Sequence, residues 1–399
     1  MRPLIAHCWY RSANPSGENV VVERELSLLR AAGCAPGLLE RRSDDLLRAG
    51  SLAKLRAAAG LHAPPTQVAQ LAREIAGHGA DLLHLHNPWP LLTYGVCEAA
   101  RGEGLPVVQT LHNWRLIASA RKLLGPHGAR SPRDDHERQR LERMPPLYGG
   151  AAMDWLYTRA IARYWRERVI PDGVDAFICI SRFQRDVMAA AGLPPERLVV
   201  KPNFLDHRGP IGDGPGDYAL FVGRLGVEKG VLELCRAWPR TGLPLRIVGD
   251  GPLARAVAGC AGVQMLGRQG AERVLELMAG ARFLVVPARW DEAFGLVVIE
   301  ALASGTPCLV ADRGALPELV QDGATGRTFR AEDADDLVAQ ARRLWDEAPT
   351  LRGASRAAYE ASYTPAANLA ILQQIYANVR AGRLPAQGIE RTEGLRVAV

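Results

Sequence analysis

A chain of 399 residues exceeds what one hydrophobic core usually organises, so two domains of roughly 150 to 200 residues are expected. Apolar residues make up 48% and charged residues 23%, which excludes long disorder and fibrous repeats. The net charge of +6 comes almost wholly from arginine, since only Lys54, Lys122, Lys201 and Lys229 are lysines, and a bias this mild calls for no nucleic-acid partner.

Residues 1–5 run straight into a strand pattern without the apolar region of a signal peptide, and no run of 18 or more apolar residues exists to span a membrane. The seven cysteines, Cys8, Cys34, Cys97, Cys179, Cys235, Cys260 and Cys308, are scattered singly, with no Cys-x-x-Cys pair and no zinc spacing. That usage predicts a reducing, cytoplasmic setting.

Short apolar runs alternate with helical patterns, the signature of a doubly wound parallel sheet. In the first half the pattern predicts strands at 4–9, 81–86, 106–111, 176–180 and 198–201, with a helix over 20–32. Loops at the carboxyl ends of such strands carry ligand sites, which places Asn14, His86 and Asn113 as candidate acceptor contacts. His84 and His86 alternate on one strand end and share a face; without a third ligand at suitable spacing they predict no metal. The Arg-rich segment 115–150 reads as a long functional loop. The helix predicted over 153–169 carries Met153, Leu156, Tyr157, Ala160, Ile161 and Tyr164 in one stripe, which favours burial over contact with a membrane surface.

The stretch 206–217, rich in Gly, Pro and Asp, reads as a linker between domains at 1–205 and 218–362. A second series of strands follows at 218–223, 245–248, 263–266, 283–286 and 308–311. An amphipathic helix over 363–381, with Leu369, Leu372, Ile375 and Tyr376 at helical spacing, is expected to cross back to the first domain, and 382–399 reads as a polar tail.

The sharpest chemical signal is the turn after the strand at 218–223. Gly223, Arg224 and Lys229 put a forked guanidinium and a point ammonium on one loop, complementary means of neutralising a diphosphate. The second is residues 287–305, read as strand, loop and helix. Glu292 lies in the loop and Glu300 about a turn and a half into the helix, while the helix start at Phe294, Gly295 and Leu296 offers backbone N–H groups to phosphate. Amid its apolar neighbours Glu300 needs a hydrogen-bonding partner, for which ribose hydroxyls are suited.

Gly223-Arg224-Leu225, Glu228-Lys229-Gly230, Gly249-Asp250-Gly251-Pro252, Leu266-Gly267, Glu292 to Glu300 and Gly305-Thr306-Pro307 together resemble the second domain of retaining family 4 glycosyltransferases of the GT-B fold. Residues 81–86, 111–116 and 179–183 resemble its first domain more loosely. The resemblance implies two Rossmann-like, doubly wound α/β domains facing across a cleft. It also implies a retaining sugar transfer from a nucleoside diphosphate sugar, expected to be UDP- or GDP-linked, with no further cofactor; the two protein cations and the lack of a metal-ligand cluster predict that the transfer is metal-independent. Carried over by position, Arg224 and Lys229 hold the diphosphate, Glu300 the ribose and Glu292 the sugar hydroxyls. Backbone at Leu266 and Gly267 lies near the base, Gly17 near phosphate, and His112 beside the transferred sugar. Two departures stand out: the first loop has Gly17 where relatives often have two glycines, and Ala293 follows Glu292 where glycine is common, which would strain a left-handed conformation. Neither the acceptor, whether small metabolite, natural product or glycan, nor the oligomeric state is readable. The alternative is a catalytically silent GT-B-like subunit, against which the intact cations and glutamates argue. No Gly-x-Gly-x-x-Gly follows the first strand, as a dinucleotide-dependent dehydrogenase would need.

Overall fold

A computed structural model gives the structure of residues 1–9, 17–48, 50–117 and 151–389. Asn14, most of the Arg-rich segment and the last ten residues of the tail lie outside the described residues.

The strands of the first sheet are β1 (Pro3–Trp9), β2 (Gly37–Arg42), β3 (Leu82–Leu85), β4 (Val107–Leu111), β5 (Ala176–Cys179) and β6 (Leu198–Val200). They lie in the order β2-β1-β3-β4-β5-β6, and every pairing is parallel. The second sheet contains β7 (Ala219–Val222), β8 (Leu245–Val248), β9 (Val263–Gly267), β10 (Phe283–Val286), β11 (Cys308–Ala311) and β12 (Gly326–Phe329). Its order, β12-β11-β10-β7-β8-β9, is again wholly parallel. Helices cover both faces of such sheets, so inner strands read as continuous apolar runs. All four residues of β5, β10 and β11 are accordingly buried. The sequence pattern missed β2 and β12. Both sit at a sheet edge, where one neighbour suffices and polar residues such as Glu40 and Arg327 are admitted.

Four helices bear on the site and on the first core. Helix α1 (Gly17–Ala31) starts three residues earlier than the apolar pattern predicts and buries Glu18, Val22, Glu25 and Leu29 along one face. Helix α2 (Ala151–Arg166) buries Tyr157, Ala160, Ile161 and Tyr164, as the stripe requires, and leaves Trp155 exposed. It stops short of residue 169 because Arg168 turns to a φ of 57°. Helix α3 (Leu296–Ala303) follows β10, and α4 (Pro365–Arg380) ends the described fold.

The chain divides into two compact units, one combining Met1–Ile180, Gln184–Lys201 and Leu369–Val399, the other Ser181–Phe183 and Pro202–Asn368. The glycine-rich stretch 206–217 packs within the second. Gly212 N–H donates to the Ser304 carbonyl at 2.9 Å, and a Cβ on Gly212 would stand 2.2 Å from the Ala279 carbonyl oxygen. In the first unit, Leu372, Ile375, Tyr376 and Val379 of α4 join Ile5, Val22, Leu26, Leu82, Val108 and Ile178 in one buried cluster. All seven cysteines are free thiols. Among the described residues no helix is long and apolar enough to cross a membrane.

Leu372 is fully buried between α4 and the sheet. Leu372→Ala removes its contacts and leaves a cavity, and is expected to lower the unfolding free energy by about 2–5 kcal/mol. Urea unfolding measures this, and a loss well under 1 kcal/mol would mean that α4 does not belong to the first core.

Candidate active site

Strand order reverses between β7 and β10 in the second sheet, so the loops leaving their carboxyl ends diverge and open a crevice. Arg224 and Lys229 lie on the first of these loops and Glu292 on the second. Backbone bonds seat the first loop: Gly223 N–H donates to Val248 at 3.0 Å, and Leu225 exchanges bonds with Asp250 and Leu253 while its side chain is buried. Gly230, at a φ of 68°, lies so near β10 that a Cβ there would stand 1.9 Å from the Pro287 carbonyl oxygen. Only glycine fits that approach.

Both cations already face carboxylates. Lys229 Nζ lies 2.5 Å from Glu292 Oε1, which joins the two loops across the switch point. Arg224 Nη2 lies 2.5 Å from Glu228 Oε1, and the arginine side chain is 62% exposed. Glu228 was not singled out by sequence reasoning, although its spacing of four from Arg224 was visible.

The remaining predicted donor contacts of this unit lie at the end of β9 and on the loop and helix after β10. Glu300 is half-buried in α3, four residues or just over one turn from its start at Leu296. Phe294 turns into the core against Tyr363, which leaves only its backbone for a ligand. Gly295, at a φ of 135°, passes Leu316 and Leu319 where a Cβ would stand 3.0 and 3.1 Å from their methyls, and Leu296 opens the helix half-buried. Ala293 is not among the residues of positive φ, so the alanine in place of glycine costs no left-handed strain. Leu266 and Gly267 end β9; the Leu266 carbonyl accepts from Gln269 Nε2 at 2.5 Å, and that of Gly267 from Gly249 N–H at 2.9 Å.

In the first unit the strand order reverses between β1 and β3. Gly17 is exposed at the first residue of α1. A pocket at the carboxyl ends of β3 and β4 is lined by Glu18, His86, Asn87, His112, Asn113 and Arg115 among others. Buried Glu18 organises it, accepting from Asn87 Nδ2 at 3.1 Å, Asn113 Nδ2 at 2.8 Å and Arg115 Nη1 at 3.2 Å. Burial opposes its charge, yet the Arg115 guanidinium and the His112 and His7 rings hold its carboxyl below the usual range. Asn113, predicted to meet acceptor, is thus tied to Glu18.

A second layer lies beneath. His86 is buried, with Nδ1 2.9 Å from His112 Nε2. Glu25, one helical repeat of seven beyond Glu18, places Oε1 3.1 Å from both His84 Nδ1 and His86 Nε2, and Oε2 3.1 Å from the buried Lys201 ammonium. Against burial, which favours the acid, Lys201 with His84 and His86 holds the Glu25 carboxyl well below the usual range. Burial pushes the His86 imidazolium down to about 3 and, with the neighbouring His86, lowers that of His112 well below its ordinary value. His84 and His86 do share a face, as their alternation requires. The fold also supplies the third residue that sequence spacing lacked, since Glu25, His84 and His86 have ligand atoms all within 4.8 Å of one another. One carboxylate already paired with an ammonium is poorly suited to a divalent ion in a dry site. Sequence reasoning missed Glu18 and Glu25 altogether; two carboxylates seven apart on the apolar face of one helix were the signal.

Two Rossmann-like units, the second with paired cations at its switch point, define the class: GT-B glycosyltransferases. Residues 15–208 match the Glycosyltransferase Family 4 model and 216–347 the Glycosyl transferases group 1 model, so the chain belongs to the family 4 glycosyltransferases. It is similar to the D-inositol 3-phosphate glycosyltransferase of Nocardia farcinica, 29% identical over 67% of this chain and 59% of that protein. An uncharacterized glycosyltransferase of Methanocaldococcus jannaschii is 28% identical over 41% of this chain and 47% of its own length. The chain thus spans only about half to three fifths of the length of these relatives. In fold it is similar to sucrose-phosphate synthase of Thermosynechococcus elongatus, with a TM-score of 0.67 and 18% identity over 96% of this chain and 99% of that one.

The buried rings imply a pH dependence. A histidine whose folded pKa is depressed contributes stability above its unfolded value near 6.5, which is lost as pH falls toward the folded value. His86 and His112 should each remove up to about 1.4 kcal/mol per pH unit below about 6.5. Unfolding free energies measured from pH 7.5 to 5 should therefore fall on the acid side, and a flat profile would contradict the buried neutral rings.

Proposed function

We propose that this protein transfers a sugar from a nucleoside diphosphate sugar to an acceptor nucleophile, with retention of anomeric configuration and without a metal, in a reducing cytoplasm. The observation that carries the reading is the pair of cations at the switch point of the second sheet, each held by a carboxylate. A bound diphosphate takes the place of Glu228 at Arg224 and shares Lys229 with Glu292. As the glycosidic bond breaks, negative charge grows on the leaving oxygen, and cations already in position stabilise it more than the ground state. Glu300 binds the ribose, Glu292 the sugar hydroxyls, and backbone at Leu266 and Gly267 the base; Gly17 approaches phosphate and His112 the transferred sugar. A solved Anabaena protein of similar fold, with a TM-score of 0.62 and 17% identity over 94% of this chain and all of that one, is in complex with UDP-glucose. Uridine diphosphate sugars are therefore the first donors to screen, with guanosine diphosphate sugars second, by thermal stabilisation. The acceptor is a small metabolite, natural product or glycan hydroxyl.

Lys229→Ala should lower turnover by roughly 10² to 10³ while changing nucleoside diphosphate affinity less, and Arg224→Ala comparably. Arg224→Lys should not restore it, because the ammonium lacks the planar fork. Turnover near wild type in Lys229→Ala would remove the central assignment. Glu300→Gln should chiefly weaken nucleotide binding, whereas Glu292→Gln should spare it and damage transfer; equal loss of binding in both would refute that division. Activity should persist in excess chelator, and a loss that only divalent metal restores would overturn the metal-free mechanism.

A further inference from the structure

Among the described residues, the His112 side chain meets the protein through one hydrogen bond, between its Nε2 and His86 Nδ1 at 2.9 Å. Between two neutral imidazoles only one proton lies on that line, so one ring donates and the other accepts. Which does so depends on what faces the far nitrogen of His86. That nitrogen, Nε2, is buried and has Glu25 Oε1 3.1 Å away, a contact close in distance though off the ideal line. Neither atom makes a well-aligned hydrogen bond among the described residues, and His84 Nδ1 is the other group within 3.1 Å of the same oxygen.

An ionised carboxylate only accepts. With the proton on His86 Nε2, an N–H faces the carboxylate; with it on Nδ1, a lone pair faces a negative oxygen in a dry site, and that arrangement is disfavoured. Glu25 stays ionised because Lys201 Nζ lies 3.1 Å from its other oxygen. The neighbouring His84 shows the contrast. Its Nδ1 lies 3.1 Å from the same Glu25 Oε1 but also meets the Tyr376 hydroxyl at 2.7 Å, and its Nε2 the Thr110 hydroxyl at 2.8 Å, so both its nitrogens have hydroxyl partners that can donate or accept, which His86 Nε2 lacks.

We propose that Glu25, acting through His86, fixes His112 as its Nε2–H tautomer, so that Nδ1 is unprotonated and the ring meets the donor sugar as a hydrogen-bond acceptor for a hydroxyl. Glu25, Lys201 and His86 are then positioning residues for His112. The role at the sugar rests on the proposed glycosyl transfer; the proton order does not.

The test is long-range proton–nitrogen NMR of protein labelled with ¹⁵N-histidine, which reads the tautomer of each ring without substrate. The wild type should show His86 and His112 both as Nε2–H, neutral down to at least pH 6. A proton on His112 Nδ1 overturns the proposal whatever any variant does. Glu25→Gln alone would take the carboxylate from the buried Lys201 ammonium and keep its charge, so the variant is Glu25→Leu with Lys201→Met, which removes both charges together. It should show His112 as a mixture of tautomers and, with UDP affinity unchanged, a turnover lowered about 10-fold, the scale of one lost hydrogen bond. Retention of a single Nε2–H tautomer in the folded double variant overturns the proposal. So does stoichiometric binding of added Zn²⁺ that this variant abolishes, since a metal would then occupy the place of the proton. Failure of glycosyl transfer with the proton order as stated would instead refute only the role at the sugar.

Discussion

In a parallel sheet whose strand order reverses, the connections on either side of the reversal must run to opposite faces, and the space between them at the carboxyl ends is left open. The second unit depends on this constraint. It separates the loops after β7 and β10, and the Lys229–Glu292 contact bridges them across the gap. Gly230 and Gly249 are what the close approach requires: a Cβ on either would stand 1.9 Å from a carbonyl oxygen, of Pro287 and Gly223 respectively. The sheet thus determines both where the cations are and how little room their loop has to move.

The first unit uses its reversal differently. Helix α1 turns two carboxylates, Glu18 and Glu25, into the protein, and each is compensated by a different set. Glu18 faces the pocket and gathers Asn87, Asn113 and Arg115, so the polar wall of that pocket is ordered around one buried charge. Glu25 lies a layer deeper with Lys201, His84 and His86. A buried pair is weak evidence for stability, because desolvating two ions offsets much of their attraction. Its retention beneath His112 is better explained by direction: a carboxylate dictates where a neighbouring imidazole carries its proton.

How far the sequence could be read follows from these geometries. Central strands such as β10 and β11 were plain because burial on both faces demands unbroken apolar runs, whereas β2 and β12, with one neighbour each, carry charge and were missed. Arg224, Lys229, Glu292 and Glu300 stood out because they interrupt glycine-rich or apolar segments with charge. His86 was visible as a polar residue at a strand end and was read as an acceptor contact, but neither its burial nor its hydrogen bond to His112 was visible.

Local pattern by itself determined the two parallel-sheet domains, the amphipathic helix after residue 363, and the loops that carry Arg224 and Lys229, because each depends on periodicity and on residues close together in the chain. Tertiary structure alone decided which groups share a buried charge. Glu25 and Lys201 are 176 residues apart, and His84 and Tyr376 are 292 apart. Such partners carry no mark of one another in sequence, since their pairing is set by strand order and helix docking, which bring distant segments together only once the sheet is complete.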